Sequence, residues 1–158
     1  MPKITALLHT HNDGLRLGRA LQSLRPCDEL LVIDNDSKDD TAKVAREHGA
    51  IVKAAIPGVA FGAYAMDASH DWILWLRPNE SLSDDLEASL FEWKNQSPGE
   101  NVACYKISIR EESNAGWLVC QPEVRLLNRA KINWLGENPP DHVGGASLNG
   151  DLLRFHLP

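Results

Sequence analysis

Several familiar signatures are missing from this chain, and each absence removes a class of function. Cysteine is sparse: Cys27, Cys104 and Cys120 are odd in number, far apart and without a CxxC pair. That argues against a disulfide framework or a thiolate metal site and for buried or incidental thiols. The six histidines show no HExxH spacing, so no preformed zinc site is signalled. No apolar run approaches the ~18–20 residues of a membrane span, and the N-terminus MPKITALLHT lacks the apolar stretch of a signal peptide. The expected location is cytoplasmic, with a peripheral contact at the inner face of the membrane left open. There is no basic stripe, and a net charge of −6 argues against nucleic acid as a partner. The patterns GxGxxG, GxxxxGK[ST] and GxSxG are all absent, which disfavours a dinucleotide-dependent dehydrogenase, a P-loop ATPase and an α/β-hydrolase. No internal repeat, low-complexity tract or linker is visible.

What remains is a chain of 158 residues, 43% hydrophobic and 24% charged, enough for one globular domain with a substantial core. Its central stretch is Leu30–Thr41, LLVIDNDSKDDT. The apolar run Leu30–Ile33 reads as a strand buried on both faces. Ser37 follows as an expected N-cap for a helix over Lys38–Gly49, with Asp40 completing a capping box. Asp34, Asn35 and Asp36 then fall at the carboxyl end of a strand, where open α/β sheets bind ligands. An acidic, amide-bearing turn suits hydrogen bonds to a base or ribose better than contact with phosphate.

The alternation begins earlier. Lys3–His9 reads as a strand, Thr10–Gly14 as a polar turn, and Leu15–Leu24 as an amphipathic helix with Leu17, Ala20, Leu21 and Leu24 at helical spacing. Ala50–Ala55 is a third short strand. Such strand–helix alternation predicts a mainly parallel sheet with right-handed crossovers. Pro57–His70 is weakly helical, and Asp71–Leu76 (DWILWL) is an apolar strand near the centre. Ser83 caps a further helix, with Leu86, Leu90 and Trp93 on one face. Beyond Ser97-Pro98-Gly99 the pattern changes to strands, expected over Val102–Arg110, Glu123–Asn128 and Asp151–His156, with loop between. The fold class is α/β in one domain over 1–158: a nucleotide-binding half, 1–96, and a strand- and loop-rich half, 97–158.

The two turns after the first and second strands should lie side by side. Thr10 and Asn12 offer polar groups there, His11 offers an aromatic face for a base, and the helix start after Gly14 offers free N–H groups that suit a phosphate oxygen. Each residue alone is more simply a turn or cap. Together on one sheet edge they point to a binding site.

The blocks PKITALLHTHND (Pro2–Asp13), LLVIDNDSKDDTAKVAREHGA (Leu30–Ala50) and DWILWLRPNESLSDDL (Asp71–Leu86), in that order and spacing, resemble the family 2 glycosyltransferases of GT-A fold. The nearest likeness is to the small bacterial branch concerned with lipopolysaccharide-core and cell-envelope sugars. A weaker echo follows in VRLLNRAKINWLGE (Val124–Glu137), similar to that branch's acceptor-side strand. The resemblance implies a nucleotide-diphospho-sugar transferase sandwich. It also implies transfer of a sugar, with inversion, from a nucleotide-sugar donor such as a UDP-sugar to a glycan or lipid-linked acceptor. By this likeness Thr10, His11, Asp13 and Asp34 face the nucleotide, and Asn35, beside Asp34 in the same turn, is expected there too. Ser37, Asp39 and Thr41 match the loop-and-helix pattern as structural caps.

The chain also departs from the pattern. Where the family carries its metal-binding Asp-x-Asp, this sequence reads Arg77-Pro78-Asn79, followed by the matching Glu80. Mg or Mn prefers carboxylate oxygens, so the usual metal site is degenerate and no metal ligand is assigned. Arg77, Asn79 and Glu80 are instead expected on the donor side, with the Arg77 guanidinium suited to a diphosphate. The helix that usually offers Arg-Asn to the donor reads Gly62–Asp67, without that pair. A general base for the acceptor hydroxyl is sought among Glu137, Asp141 and His142, against the plainer reading of a solvated loop. Trp72 and Trp75 are expected to share one face of their strand as core, Trp93 to be core, and Trp117 and Trp134 to be open to stacking on a sugar. Two functions lead: a small glycosyltransferase that uses Arg77 or another cation in place of the metal, or a non-catalytic GT-A-like binding domain that has lost its metal site. A purely structural subunit is a third, against which the Thr10–Asp13 turn and Asp34 argue.

Overall fold

In the computed structural model, which describes residues 1–96, 98–141 and 145–156, eight strands form one sheet in the order β3-β2-β1-β4-β7-β6-β8-β5. The first four strands are β1 (Ile4–Thr10), β2 (Glu29–Asp34), β3 (Ile51–Ala54) and β4 (Trp72–Trp75). They pair in parallel, as the strand–helix alternation demands. Helices α1 (Gly14–Gln22) and α2 (Thr41–Glu47) make the first two crossovers, and a 3-10 helix, Phe61–Asp67, lies in the third. The second half adds β6 (Cys104–Ser113), β7 (Gly116–Asn128) and β8 (Ala146–Arg154). There the sheet becomes mixed: β7 runs antiparallel to both β4 and β6, while β8 runs parallel to β6.

Helix α3 (Asp84–Asn95) begins as expected: the Ser83 hydroxyl accepts from the Leu86 amide at 3.2 Å, with Asp84, Asp85 and Glu87 in the first turn. Gly49, at φ +81°, ends α2 in the left-handed region, its N–H bonded to the Arg46 carbonyl.

Other details differ from the sequence reading. Helix α2 starts at Thr41 rather than Lys38, because Ser37 is not its cap. The Ser37 hydroxyl donates to Asp34, and the Asp39 carboxylate accepts from the Thr41 amide at 3.0 Å instead. β7 starts at Gly116 and forms a long hairpin with β6, so the expected strand over Glu123–Asn128 is its second half. A short strand, β5 (Glu80–Leu82), was not expected at all. It closes the far edge of the sheet on β8.

The sheet separates two apolar layers. One face packs on the helices through Ile4, Leu8, Leu17, Leu74, Leu86 and Trp93; the other gathers Leu7, Ile33, Phe61, Ile73, Leu127 and Trp134. Trp72 and Trp75 are both core, but on opposite faces. Three residues apart in a strand of period two, they cannot share one. Trp72 meets Trp93 edge-on at 4.9 Å, whereas Trp75 meets Trp134 at 5.8 Å. Trp134 is therefore buried core rather than a sugar platform, and Trp117 lies half-exposed against Phe155.

Candidate functional site

The turns after β1 and β2 are bonded into one edge. Thr10 Oγ1 donates to Asp34 at 2.7 Å, the Asn12 amide to Ser37 Oγ at 2.8 Å, and the Lys38 amide to Asn12 Oδ1 at 2.8 Å. The Asp13 and Gly14 amides reach Thr41 Oγ1 and Asp39. Asn12 and Asp36 both sit at φ 53°, a conformation that short polar side chains tolerate. His11 Nδ1 lies 2.6 Å from the Asn35 carbonyl, and Nε2 lies 3.3 Å from the Asn12 amide group. Both contacts are met by a neutral ring protonated on Nδ1. Burial pushes the Asp34 carboxyl up, but hydrogen bonds from Ser37 and Thr10 outweigh it and hold the group below the usual carboxylate range. Thr10, Asp13 and Asp34 thus spend their polar atoms on the frame, as do His11's ring nitrogens. Asn35 also lines a cavity.

That cavity opens on the face of the sheet opposite the three α-helices. Alternation along β1 sends Leu7 and then His9 to this face, and alternation along β4 sends Trp75 and then Arg77. Leu7 and Trp75 are register partners, so the same register carried two residues further brings His9 and Arg77 to neighbouring strand ends. His9 lies flat on Phe61, with ring centroids 5.2 Å apart and planes 14° apart. Two hollows meet at this stack. One, of about 230 Å³, is bounded by Asn35, the Ala55–Val59 loop and Tyr64; the other, of about 220 Å³, by Trp75, Arg77, Pro78 and Asn138. His9, Phe61 and Glu137 line both.

Glu137 reaches the cleft because the segment before it is pinned. Trp134 packs on Gly62, and the Gly62 amide donates to the Gly136 carbonyl at 2.9 Å. Tyr64 Oη accepts from the Ile56 amide at 2.7 Å and so holds the loop on the other side. The remaining general-base candidates lie elsewhere. Asp141 is exposed, 3.5 Å from Lys106, and borders a separate hollow beside Glu123; His142 lies outside the described residues.

The Arg77–Glu80 turn is organised differently from the sequence expectation. Glu80, expected beside the donor, is wholly buried. Its oxygens accept from Arg125 at 2.6 and 3.0 Å, from Arg154 at 3.1 Å and from the Arg77 amide at 2.8 Å. Burial raises its pKa, and the Arg125 charge and hydrogen bonds more than reverse this, leaving it lowered. Asn79 donates to the Phe155 carbonyl at 3.0 Å rather than facing the cleft. Only the Arg77 side chain of this turn is exposed, its guanidinium 5.9 Å from the Trp75 ring. These groups do not suit Mg or Mn: the one carboxylate is saturated by arginines, and the residue facing the cleft is a cation. Among the described residues no three His, Cys, Asp or Glu side chains cluster where they could hold a metal.

The sequence alone does not single out His9 or Phe61. The signal for His9 was present in the two-residue alternation from Leu7, but a strand-end histidine reads as an ordinary surface residue until its neighbour is known.

No family model matches the chain. It is 37% identical over 91 residues to a Rickettsia felis protein described as an uncharacterized glycosyltransferase, covering 55% of this chain and 32% of that one. The chain thus spans about a third of the length of that curated relative. Among solved structures it resembles glucosyl-3-phosphoglycerate synthase from Mycobacterium tuberculosis in complex with Mn2+, UDP and phosphoglyceric acid. That likeness has a TM-score of 0.54 and 18% identity, over 72% of this chain and 45% of that one. It also resembles S. aureus TarS 1–349 in complex with UDP, with a TM-score of 0.54 and 15% identity over 72% and 37% of the two chains. The mixed α/β sheet and these likenesses together identify a GT-A-like glycosyltransferase fold.

Proposed function

We propose that the chain is the donor-binding part of a glycosyltransferase of the family 2 type, taking a nucleotide sugar of the UDP class. The carrying observation is the pair of hollows that meet at His9 and Phe61, beyond the carboxyl ends of the parallel strands. The hollow by Asn35 and the Ala55–Val59 loop suits a base and ribose, with His9 as an aromatic surface. The hollow by Trp75, Arg77 and Glu137 suits the diphosphate and sugar. Both solved neighbours were captured with UDP, and the relatives' description as glycosyltransferases supports the same reading.

In this reading the transfer is a single displacement with inversion. An acceptor hydroxyl oxygen bonds to the anomeric carbon as the bond from that carbon to the diphosphate oxygen breaks. Glu137 takes the hydroxyl proton, and the nucleoside diphosphate leaves with the bonding electron pair. Glu137 is the base of choice because it lines both hollows and no ion pair engages it among the described residues. The acceptor belongs to the class of envelope glycans or lipid-linked sugars, met at the cytoplasmic face of the membrane. No described helix is long and apolar enough to cross one.

The saturation of Glu80 favours a second reading, a binding domain without catalysis. Calorimetry with UDP, followed by assays of UDP release from a panel of UDP-sugars, separates the two. Transfer predicts UDP binding and UDP release that falls about 10²- to 10⁴-fold in Glu137→Gln with binding retained. Binding without release from any sugar supports the non-catalytic domain. No binding of UDP, nor of ADP, CDP, GDP or dTDP in its place, overturns the donor reading.

A further inference from the structure

Given the donor reading above, we infer that Arg77 is the counter-charge for the donor's diphosphate, and that this site binds a nucleoside diphosphate without a divalent metal. A diphosphate brings at least two negative charges into the cleft, and something there must offset them. The carboxylate adjoining the turn cannot recruit a metal, because Arg125 and Arg154 already occupy its oxygens and it touches no solvent. Asn79 is turned away to Phe155.

Arg77, by contrast, is held by its backbone and left free at its tip. Its amide donates to Glu80 at 2.8 Å, and its carbonyl accepts from the Glu80 amide at 3.0 Å. The buried Arg125–Glu80 pair therefore fixes the Arg77 backbone at the mouth of the cleft, while the guanidinium makes no ion pair among the described residues. Other cations near this face are engaged: Lys53 with Asp67 at 3.9 Å and Arg129 with Asp71 at 3.2 Å. A planar guanidinium offers two parallel N–H groups to a phosphate, and in a partly enclosed cleft such charge-assisted bonds are strong. The same arrangement accounts for the basic residue at a position where a metal-using site needs an acid.

The test is calorimetric titration of the intact chain with UDP and with UMP, each with Mn2+ and with EDTA. UDP affinity should agree within about twofold between the two conditions. Arg77→Ala should weaken UDP by about ten- to a hundredfold, the worth of one or two charge-assisted bonds, while UMP binding changes by about twofold or less. Arg77→Lys should recover part of the loss. The side chain is exposed and makes no hydrogen bond among the described residues, so the variant should fold, checked by circular dichroism. UDP binding that disappears in EDTA overturns the inference and leaves the donor reading standing; so does an Arg77→Ala variant that binds UDP like the parent. If neither UDP nor ADP, CDP, GDP or dTDP binds under any condition, the donor reading fails and the inference with it.

Discussion

Trp134 lies so close on Gly62 that a methyl group there would fall 2.3 Å from the indole Cδ1. No side chain larger than hydrogen fits unless the indole moves, and the indole is wedged against Phe61 and Trp75. Gly62→Ala is expected to cost about 1–3 kcal/mol, the usual range for overpacking, and to lower Tm by roughly 2–12 °C. Because the Gly62 amide also anchors Gly136, the variant should bind UDP more weakly as Glu137 shifts. Thermal unfolding followed by titration at a temperature where the variant is folded checks both effects.

The Glu80–Arg125 pair predicts both a mutant effect and a pH dependence. Glu80→Ala leaves Arg125 buried without its partner and should cost about 3–5 kcal/mol in urea unfolding. A carboxylate whose folded pKa is depressed stabilises the fold fully above its unfolded value of about 4.5. That contribution fades as pH falls from there through the lower folded value. Asp28, Glu29 and Asp34 are lowered too, so the parent should lose stability steeply below about pH 4.5. A milder variant, Glu80→Gln, should show a shallower acid slope. An unchanged slope would assign the acid loss to the other carboxylates.

His9 stacks on Phe61 and lines the cleft. Removing it by His9→Ala should reduce UDP affinity roughly 2- to 12-fold, the equivalent of one aromatic stacking contact of about 0.5–1.5 kcal/mol. His9→Phe should restore most of it. Equal affinity across all three proteins, measured by titration, would remove His9 from the nucleotide site.

The parts of the fold legible in the sequence were those specified by neighbours along the chain. β1 to β4 are short apolar runs closed by turn residues, and Ser83 announces α3 within four residues. The parts that escaped depend on distant partners. β5 begins with a glutamate and reads as loop, because the arginines that let Glu80 be buried lie 45 and 74 residues away. Ser37 has the chemistry of a cap, yet the adjacent turn from β1 captures it; Asp40 stands at the cap position without a side-chain bond, and Asp39 accepts from the Thr41 amide. The site follows the same rule. Arg77 and Glu137 stood out as a charge replacing an acid and as an acid in a loop. The His9–Phe61 stack needed the three-dimensional register.

β5 also bears on modularity. Only four residues separate it from β4, yet it occupies the opposite border of the sheet and draws its two cations from β7 and β8. A polypeptide ending soon after Asn95 would contain the strand–helix repeats and the Arg77 turn, but it would carry an orphaned acid in what should become its interior. The stretch that looks most like a transplantable cassette is therefore not one. Its last turn is completed only when the carboxyl-terminal strands arrive, and any chimera or duplication that moves the first half must bring Arg125 and Arg154 with it.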